Sequence, residues 1–188
     1  MRITGGHWAG RTLVVPPGQG VRPTPDKVRQ AIFNSLGESV SDRAVLELFA
    51  GSGALSLECL SRGALSALCV EKSNRHAGYL RRNVRAFGAN VEVRVQDVFT
   101  IVQQLAKSAR TFDLIMADPP FGEKNVDRRS ESVAQKVLDD FSLPSLLTSD
   151  SLFLLGHANR DRLEIPDPWR ELKTLKHGDN CIKILTVS

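Results

Sequence analysis

Short apolar runs alternate with segments of helical period along most of the chain, and this alternation limits the fold more than any other feature. Buried strands separated by amphipathic helices are typical of a parallel sheet that is covered on both faces. The predicted strands are residues 44–49, 67–70, 91–95, 112–117 and 151–155. The predicted helices are residues 54–62, one from Ser73 to Gly88, 98–106, and one with Val133, Val137, Leu138 and Phe141 on its inner face.

Both ends of the chain differ from this central pattern. Residues 172–176 and 180–187 flank the turn 177–179 and predict a β-hairpin, which we place as an antiparallel edge of the sheet. At the other end, Thr24 as N-cap and Pro25 at the first helical position predict a helix that ends at Gly37. The Gly- and Pro-rich segment before it predicts a small hairpin.

Length and composition favour one ordinary domain. A chain of 188 residues with 41% hydrophobic residues can bury one core, so we predict a single domain over residues 1–188, with residues 1–23 as a basic hairpin extension of a core at 24–188. There is no signal-peptide pattern or long apolar span, which predicts a cytoplasmic protein without membrane contact. Three widely spaced cysteines predict buried thiols and no metal site.

Basic residues are concentrated near the N-terminus. Residues 1–36 contain five basic residues and one acidic residue, whereas the remainder contains twenty of each. A basic segment with an aromatic residue is typical of a polyanion-binding surface, although an ordinary solvated edge has the same composition. We also expect residues 122–130 to form a mobile substrate loop. The predicted RNA-binding residues are Arg2, Trp8, Arg11, Arg22, Arg29, Arg128 and Arg129.

A glycine-rich turn, residues 47–53, joins the first predicted strand to its helix and predicts a nucleoside cofactor at that strand end. Glu71 lies 20 residues beyond Gly51, where a carboxylate can accept hydrogen bonds from ribose hydroxyls. Ser56 replaces the third glycine of the dinucleotide fingerprint and Glu47 is negative, so S-adenosylmethionine is favoured over a dinucleotide. The predicted cofactor-binding residues are Glu47, Phe49, Gly51, Gly53, Glu71, Asp97 and Asp118.

The tetrapeptide Asp118-Pro119-Pro120-Phe121 directly follows the fourth predicted strand. Proline restricts the backbone around it, so the Asp118 carboxylate and the Pro119 carbonyl would offer acceptors in fixed directions. A planar exocyclic amine of a base can donate to these acceptors while Phe121 stacks on the ring. We therefore predict Asp118, Pro119 and Phe121 as catalytic residues. The alternative is a strand-ending turn that Asp118 caps.

Several segments resemble the bacterial 16S ribosomal RNA guanine-N2 methyltransferases over nearly the whole chain. They are Arg2–Gly6, Gly10-Arg11, Arg22–Thr24, Lys27–Arg29, Phe33–Leu36, Leu48–Leu55, Leu60–Ala64 and Asp118–Phe121. The resemblance implies an α/β, Rossmann-like fold with a mostly parallel seven-stranded sheet and helices on both faces, S-adenosylmethionine as cofactor, and a guanine in 16S ribosomal RNA of the assembling or assembled small ribosomal subunit as target. The family tends to have an acidic residue near Gly156 and His157 and an aromatic residue near His177, where this chain departs from it.

Three other functions stay open at this point. The same acceptors would suit methylation of adenine N6 or of a protein amide. A dinucleotide-dependent oxidoreductase would use the same glycine-rich turn. An inactive RNA-binding module would have no use for the turn and for Asp118-Pro119-Pro120-Phe121 together.

Overall fold

The computed structural model describes residues 1–17, 24–121 and 130–188. It has an α/β fold with a mostly parallel seven-stranded sheet and helices, as the sequence predicts. The chain divides into two compact units, Met1–Val98 and Phe99–Ser188, which are described separately. The single domain therefore stays a prediction. Arg22, Arg128, Arg129 and all of the predicted loop at 122–130 except Ser130 lie outside the described residues.

Three parallel strands in the order β3-β2-β1 form the sheet of the first unit. Strand β2 pairs with both others, so the carboxyl ends of all three strands lie at one edge. The interior of β1 and β2 is buried and, apart from Glu47, apolar, which is typical of central parallel strands. The strands are β1 (Ala44–Leu48), β2 (Ser66–Glu71) and β3 (Val91–Val95).

The helices of the first unit differ in how much of their surface is buried. They are α1 (Asp26–Leu36), α2 (Ala54–Ser61) and α3 (Asn74–Phe87), with a 3₁₀ turn at Gly37–Val40. Every residue of α2 is buried, whereas α3 buries only one face, which consists of Ala77, Leu80, Asn83 and Phe87. Ser73 caps α3 by accepting a hydrogen bond from the His76 backbone N–H, and Gly88 ends the helix in the left-handed region with φ 60°. Both ends of α3 are as predicted.

The start of α1 corrects the predicted cap. Pro25, not Thr24, is the N-cap residue, and the helix begins at Asp26. Pro25 has a ψ of 149°, which is an extended and not a helical value, so Pro25 is not the first residue of the helix.

The predicted N-terminal hairpin is reduced, within residues 1–17, to one antiparallel bridge between Arg2 and Thr12. The segment is instead held against α2 and α3. Ile3 and Leu13 are buried in a cluster with Leu57 and Phe87. Polar contacts add to this packing, since the buried Glu58 carboxylate accepts hydrogen bonds from both the backbone N–H and the hydroxyl of Thr4.

The second unit pairs four strands in the order β4-β5-β7-β6, and only the first pair is parallel. The last two strands form the predicted antiparallel hairpin at the edge of the sheet, joined by the two-residue turn Gly178-Asp179. The strands are β4 (Phe112–Ala117), β5 (Leu147–Ala158), β6 (Trp169–His177) and β7 (Asn180–Val187). The helices at this end of the chain are α4 (Val98–Lys107), α5 (Val133–Leu138) and a 3₁₀ turn at Leu143–Leu146.

One predicted core residue of this unit is wrong. Phe141 is 87% exposed, because α5 ends at Leu138 and the inner face of the helix stops there. The large aromatic that packs in this region is Trp169, whose ring lies 4.9 Å from that of Phe153 and whose indole N–H donates to the Leu138 carbonyl.

Candidate functional site

The turn between β1 and α2 holds its backbone in conformations that an L-residue avoids. Gly51 and Gly53 have φ of 54° and 77°, and Phe49, which has a side chain, has φ 59°. A left-handed non-glycine residue costs roughly 1–3 kcal/mol and persists only where its surroundings impose it. Such strain concentrates at ligand-binding turns, so it is an argument for function at this position.

The two glycines of the turn face different surroundings. A Cβ atom on Gly53 would lie 2.3 Å from Leu80 Cδ1, so packing against α3 requires glycine there. A Cβ atom on Gly51 would meet nothing within 4 Å. The backbone at Gly51 therefore borders open space, which leaves room for the predicted nucleoside ligand.

Glu71, the last residue of β2, braces this turn. Its carboxylate accepts from the Gly51 N–H at 2.8 Å through one oxygen and from the Ser73 N–H at 2.8 Å through the other. His76 Nδ1 lies 3.7 Å from the oxygen that Ser73 contacts. Each carboxylate oxygen has two lone pairs, so the oxygen that Gly51 contacts keeps an acceptor position for a ribose hydroxyl. Glu71 therefore joins the glycine turn to the start of α3 and has the capacity for its predicted role.

Asp97 follows β3 at the same edge of the sheet. Its carboxylate lies 3.1 Å from the Lys72 ammonium group, and both side chains are solvent-exposed. An exposed ion pair stabilises a protein by less than about 1 kcal/mol. This pair therefore offers little resistance to a ligand amine that takes the place of Lys72.

Glu47 is placed differently from its prediction. Its side chain is buried, accepts from the Ser56 N–H at 2.9 Å, and has the Cys69 Sγ at 3.6 Å. Desolvation raises the pKa of Glu47 to about 7, against an opposing effect of the hydrogen bonds from Ser56. Burial against α2 and β2 is at odds with a direct contact between Glu47 and a cationic ligand, so only the contact through water stays a prediction.

In the second unit, Asp118 directly follows β4. Pro119 is buried, Pro120 is exposed, and the Phe121 side chain is 36% exposed. An aromatic ring at that exposure is available to a flat ligand.

Gly156 of β5 makes room for Asp118. Ala117 pairs with Leu155 in the parallel ladder, which brings the next residues of both strands together. A Cβ atom on Gly156 would lie 2.3 Å from Asp118 Oδ1 and 3.1 Å from its Cγ. Sequence reasoning noted Gly156 only as a departure from the family. The Asp118 carboxylate occupies the space that a side chain at position 156 would fill.

The predicted RNA-binding residues of the N-terminal segment fall into two groups. Arg2 and Arg11 are exposed, and Trp8 is half-buried with its ring 5.1 Å from that of Phe87. Arg29 is the exception, since its side chain is fully buried.

The burial of Arg29 corrects its assignment to the RNA surface. Its guanidinium donates to the Thr24 carbonyl at 2.8 Å, to the Arg2 carbonyl, and to Asp26 Oδ1 at 3.0 Å. Its Nε also lies 3.9 Å from the buried Glu58 carboxylate. Arg29 therefore fixes α1 to the N-terminal segment and is not accessible to a nucleic acid.

Other classes of site receive no support from the described ranges. Within them, no group of three or more His, Cys, Asp and Glu side chains is placed to hold a metal ion. The three cysteines are free and buried, as predicted. None of the helices described is long and apolar enough to cross a membrane.

Comparison with known proteins supports the resemblance seen in the sequence. The chain is 39% identical over 122 residues to ribosomal RNA small subunit methyltransferase D of Escherichia coli K12. That alignment covers 64% of this chain and 60% of the relative, so it spans less than two thirds of the relative's length.

Solved structures match over a larger part of the chain. The candidate methyltransferase yhhF from Escherichia coli is 28% identical with a TM-score of 0.81, and the match covers 100% of this chain and 97% of that one. The Thermus thermophilus 16S rRNA N2 G1207 methyltransferase in complex with AdoMet and guanosine is similar in fold, with a TM-score of 0.71 at 23% identity over 90% of this chain and 44% of that one.

The family described as Conserved hypothetical protein 95 matches residues 1–186. Because this match covers nearly the whole chain, the protein belongs to that family.

Proposed function

We propose that this protein methylates the exocyclic N2 amine of a guanine in 16S ribosomal RNA, using S-adenosylmethionine, and that it acts in the cytoplasm on the assembling or assembled small ribosomal subunit. The observation that carries the proposal is the acceptor segment Asp118–Phe121 at the end of β4, with the Asp118 carboxylate seated in the space that Gly156 leaves. The name of the 39% identical relative agrees with this reaction.

The cofactor is proposed from the first unit. Three features of this unit suit a nucleoside ligand. The open space at Gly51 lets the ligand approach the backbone, the Glu71 carboxylate can accept from ribose hydroxyls, and the exposed Asp97 carboxylate can accept from an amine. Glu71 and Asp97 are acidic, which suits a cationic ligand better than a pyrophosphate.

The chemistry assigned to the chain is positioning and charge placement. When bound, S-adenosylmethionine supplies an electrophilic methyl group. Guanine N2 is a weak nucleophile because its lone pair is delocalised into the ring. Asp118 and the Pro119 carbonyl would accept its two N–H groups and so hold N2 in one orientation for transfer. Transfer would break the S–C bond of the cofactor as the N–C bond forms, leaving S-adenosylhomocysteine, and the surplus proton of N2 would pass to Asp118 or to water.

Phe121 orients the base. A partly exposed aromatic ring stacks on a flat base without reading its edges, and each stack stabilises binding by roughly 1–3 kcal/mol. The choice of guanine over adenine therefore does not come from Phe121 or Asp118. It comes from the family resemblance of the segments 22–24 and 33–36 and from the name of the relative.

The test is the identity of the product. Small ribosomal subunits that lack the modification are incubated with the protein and labelled S-adenosylmethionine, and the RNA is digested for mass spectrometry. We expect label in N2-methylguanosine. Label in N6-methyladenosine, or in ribosomal protein with none in RNA, contradicts the proposed target. Binding of NADH with no binding of S-adenosylmethionine contradicts the proposed cofactor.

A further inference from the structure

Helix α3 carries a face made of arginine. Its four arginine side chains are exposed, and the helix contains no aspartate or glutamate. At 3.6 residues per turn their spacing places all four within about one-third of the helix circumference and along about 15 Å of its length. These residues are Arg75, Arg81, Arg82 and Arg85.

These guanidinium groups are not consumed by ion pairs. Within the part of the chain that the structure describes, no acidic side chain pairs with Arg81, Arg82 or Arg85. Arg82 lies over the Tyr79 ring at 5.3 Å, and Arg75 donates to the Pro17 carbonyl at 2.7 Å. Both contacts fix the direction of the guanidinium group, and neither partner carries a negative charge.

Arg11 adds a fifth guanidinium group at the carboxyl end of α3. Its guanidinium donates to the Ala86 carbonyl at 2.6 Å and lies 4.1 Å from the centre of the Phe87 ring. The α3 arginine surface consists of Arg11 and the four helix arginines, Arg75, Arg81, Arg82 and Arg85.

A sum of charges over the sequence hides this surface. Residues 37–98 contain eight basic and seven acidic residues, so a count over this stretch is nearly neutral. Three of the seven acidic residues, Glu47, Glu58 and Glu71, are buried, so they do not neutralise the exterior. The signal available in the sequence is the run of four arginines on one side of a predicted helix without an acidic residue.

We propose that the α3 arginine surface binds the phosphate backbone of the RNA substrate. Five guanidinium groups of one sign match a polyanion, and the planar guanidinium donates in pairs to phosphate oxygens. A protein partner is less suited, since it would have to bring an acidic side chain to each guanidinium group, and exposed ion pairs stabilise a complex only weakly. The inference rests on the proposed function for the identity of the substrate and adds where its backbone lies.

The test removes three charges from the helix and three from elsewhere. The variant R81Q/R82Q/R85Q keeps good helix formers at exposed positions. The matched control K107Q/R170Q/K176Q removes the same charge from exposed sites of the second unit. The probe is transcribed 16S ribosomal RNA, whose binding is measured from 0.05 to 0.3 M salt, alongside calorimetry with S-adenosylmethionine.

We expect the helix variant to bind this RNA at least about tenfold more weakly at 0.15 M salt. The negative slope of log K against log salt should become shallower by about 2 to 3, because each lost phosphate contact removes roughly 0.7–0.9 from its magnitude. The control variant keeps a slope close to wild type, and both variants keep their cofactor affinity. An unchanged slope in the helix variant, or an equal loss in both variants, overturns the inference.

Two further outcomes separate this inference from others. If wild-type protein binds the RNA with the expected slope but transfers no methyl group, the proposed function fails and the RNA-binding surface stands. In a competition experiment, polyglutamate is added to the complex of protein and RNA. If it displaces the RNA as well as a competitor RNA of equal charge does, and if the helix variant alone is insensitive to it, the surface fits an acidic protein and the inference is wrong.

Discussion

The glycine turn of the first unit and the acceptor segment of the second are built in opposite ways. The turn is a backbone structure under strain, held by hydrogen bonds from Gly51 and Ser73 to one buried carboxylate. The acceptor segment depends on a single side chain, Asp118, whose position is permitted by the absence of another at Gly156. Substitutions around the glycine turn are expected to lower ligand affinity gradually, whereas loss of the Asp118 carboxylate is expected to lower turnover sharply.

The largest effect is expected from Asp118→Ala. It removes the acceptor on which the proposed transfer depends, so single-turnover methyl transfer should fall by roughly a hundredfold or more. Affinity for S-adenosylmethionine, measured by calorimetry, should stay within about twofold of wild type, since the turn is untouched. Near-normal turnover would reduce Asp118 to a strand-ending cap.

Gly156→Ala is expected to have the next largest effect. The new Cβ atom must displace the Asp118 carboxylate, and a misplacement near 1 Å costs roughly ten- to a hundredfold in rate. We expect kcat to fall while KM for the cofactor and the melting temperature stay close to wild type. The matched control is Gly78→Ala, where the added methyl group meets nothing within 4 Å. A Gly156→Ala enzyme with normal kcat would show that Asp118 does not act from its observed position.

The two regions also differ in how much of them the sequence predicts. The glycine turn, Glu71 and Asp97 follow successive strands, so the pattern along the chain places them at one edge. The seat of Asp118 depends on pairing between β4 and β5, which are separated by 29 residues of chain. No local pattern reports which residue of one strand meets which residue of the other.

The errors of the fold prediction have the same origin. Bounds set by local patterns are confirmed, as for Val91–Val95 and Phe112–Ala117. The first strand ends at Leu48, one residue early, because Phe49 takes a left-handed conformation that the turn imposes. Arg29 reads as a surface residue but is buried by contacts with residues elsewhere in the fold. Tertiary contacts decided these positions.

Glu71→Ala tests the brace of the first region. The change removes both backbone contacts and the proposed ribose acceptor, so we expect affinity for S-adenosylmethionine to fall at least about tenfold, which corresponds to about 1.4 kcal/mol. Turnover at saturating cofactor should fall less than in Asp118→Ala. Unchanged affinity in calorimetry would contradict the proposed cofactor site. A loss of turnover equal to that of Asp118→Ala would contradict the expectation that the glycine turn governs affinity and the acceptor segment governs turnover.

The smallest effect is expected from Ser73→Ala. This change distinguishes the contact between Glu71 and the Ser73 backbone from the cap at the start of α3. Ser73 contributes to the site twice, through its backbone N–H to Glu71 and through its side chain, which caps α3 at the His76 N–H. Alanine keeps the first contact and removes the second, so the free energy of unfolding should fall by about 1 kcal/mol. Cofactor affinity should change less than about twofold, because the glycine turn keeps its carboxylate partner. Chemical denaturation and calorimetry on the same preparation measure both quantities. A tenfold loss of affinity here would mean that the cap of α3, and not the Glu71 carboxylate, holds the turn in its binding conformation.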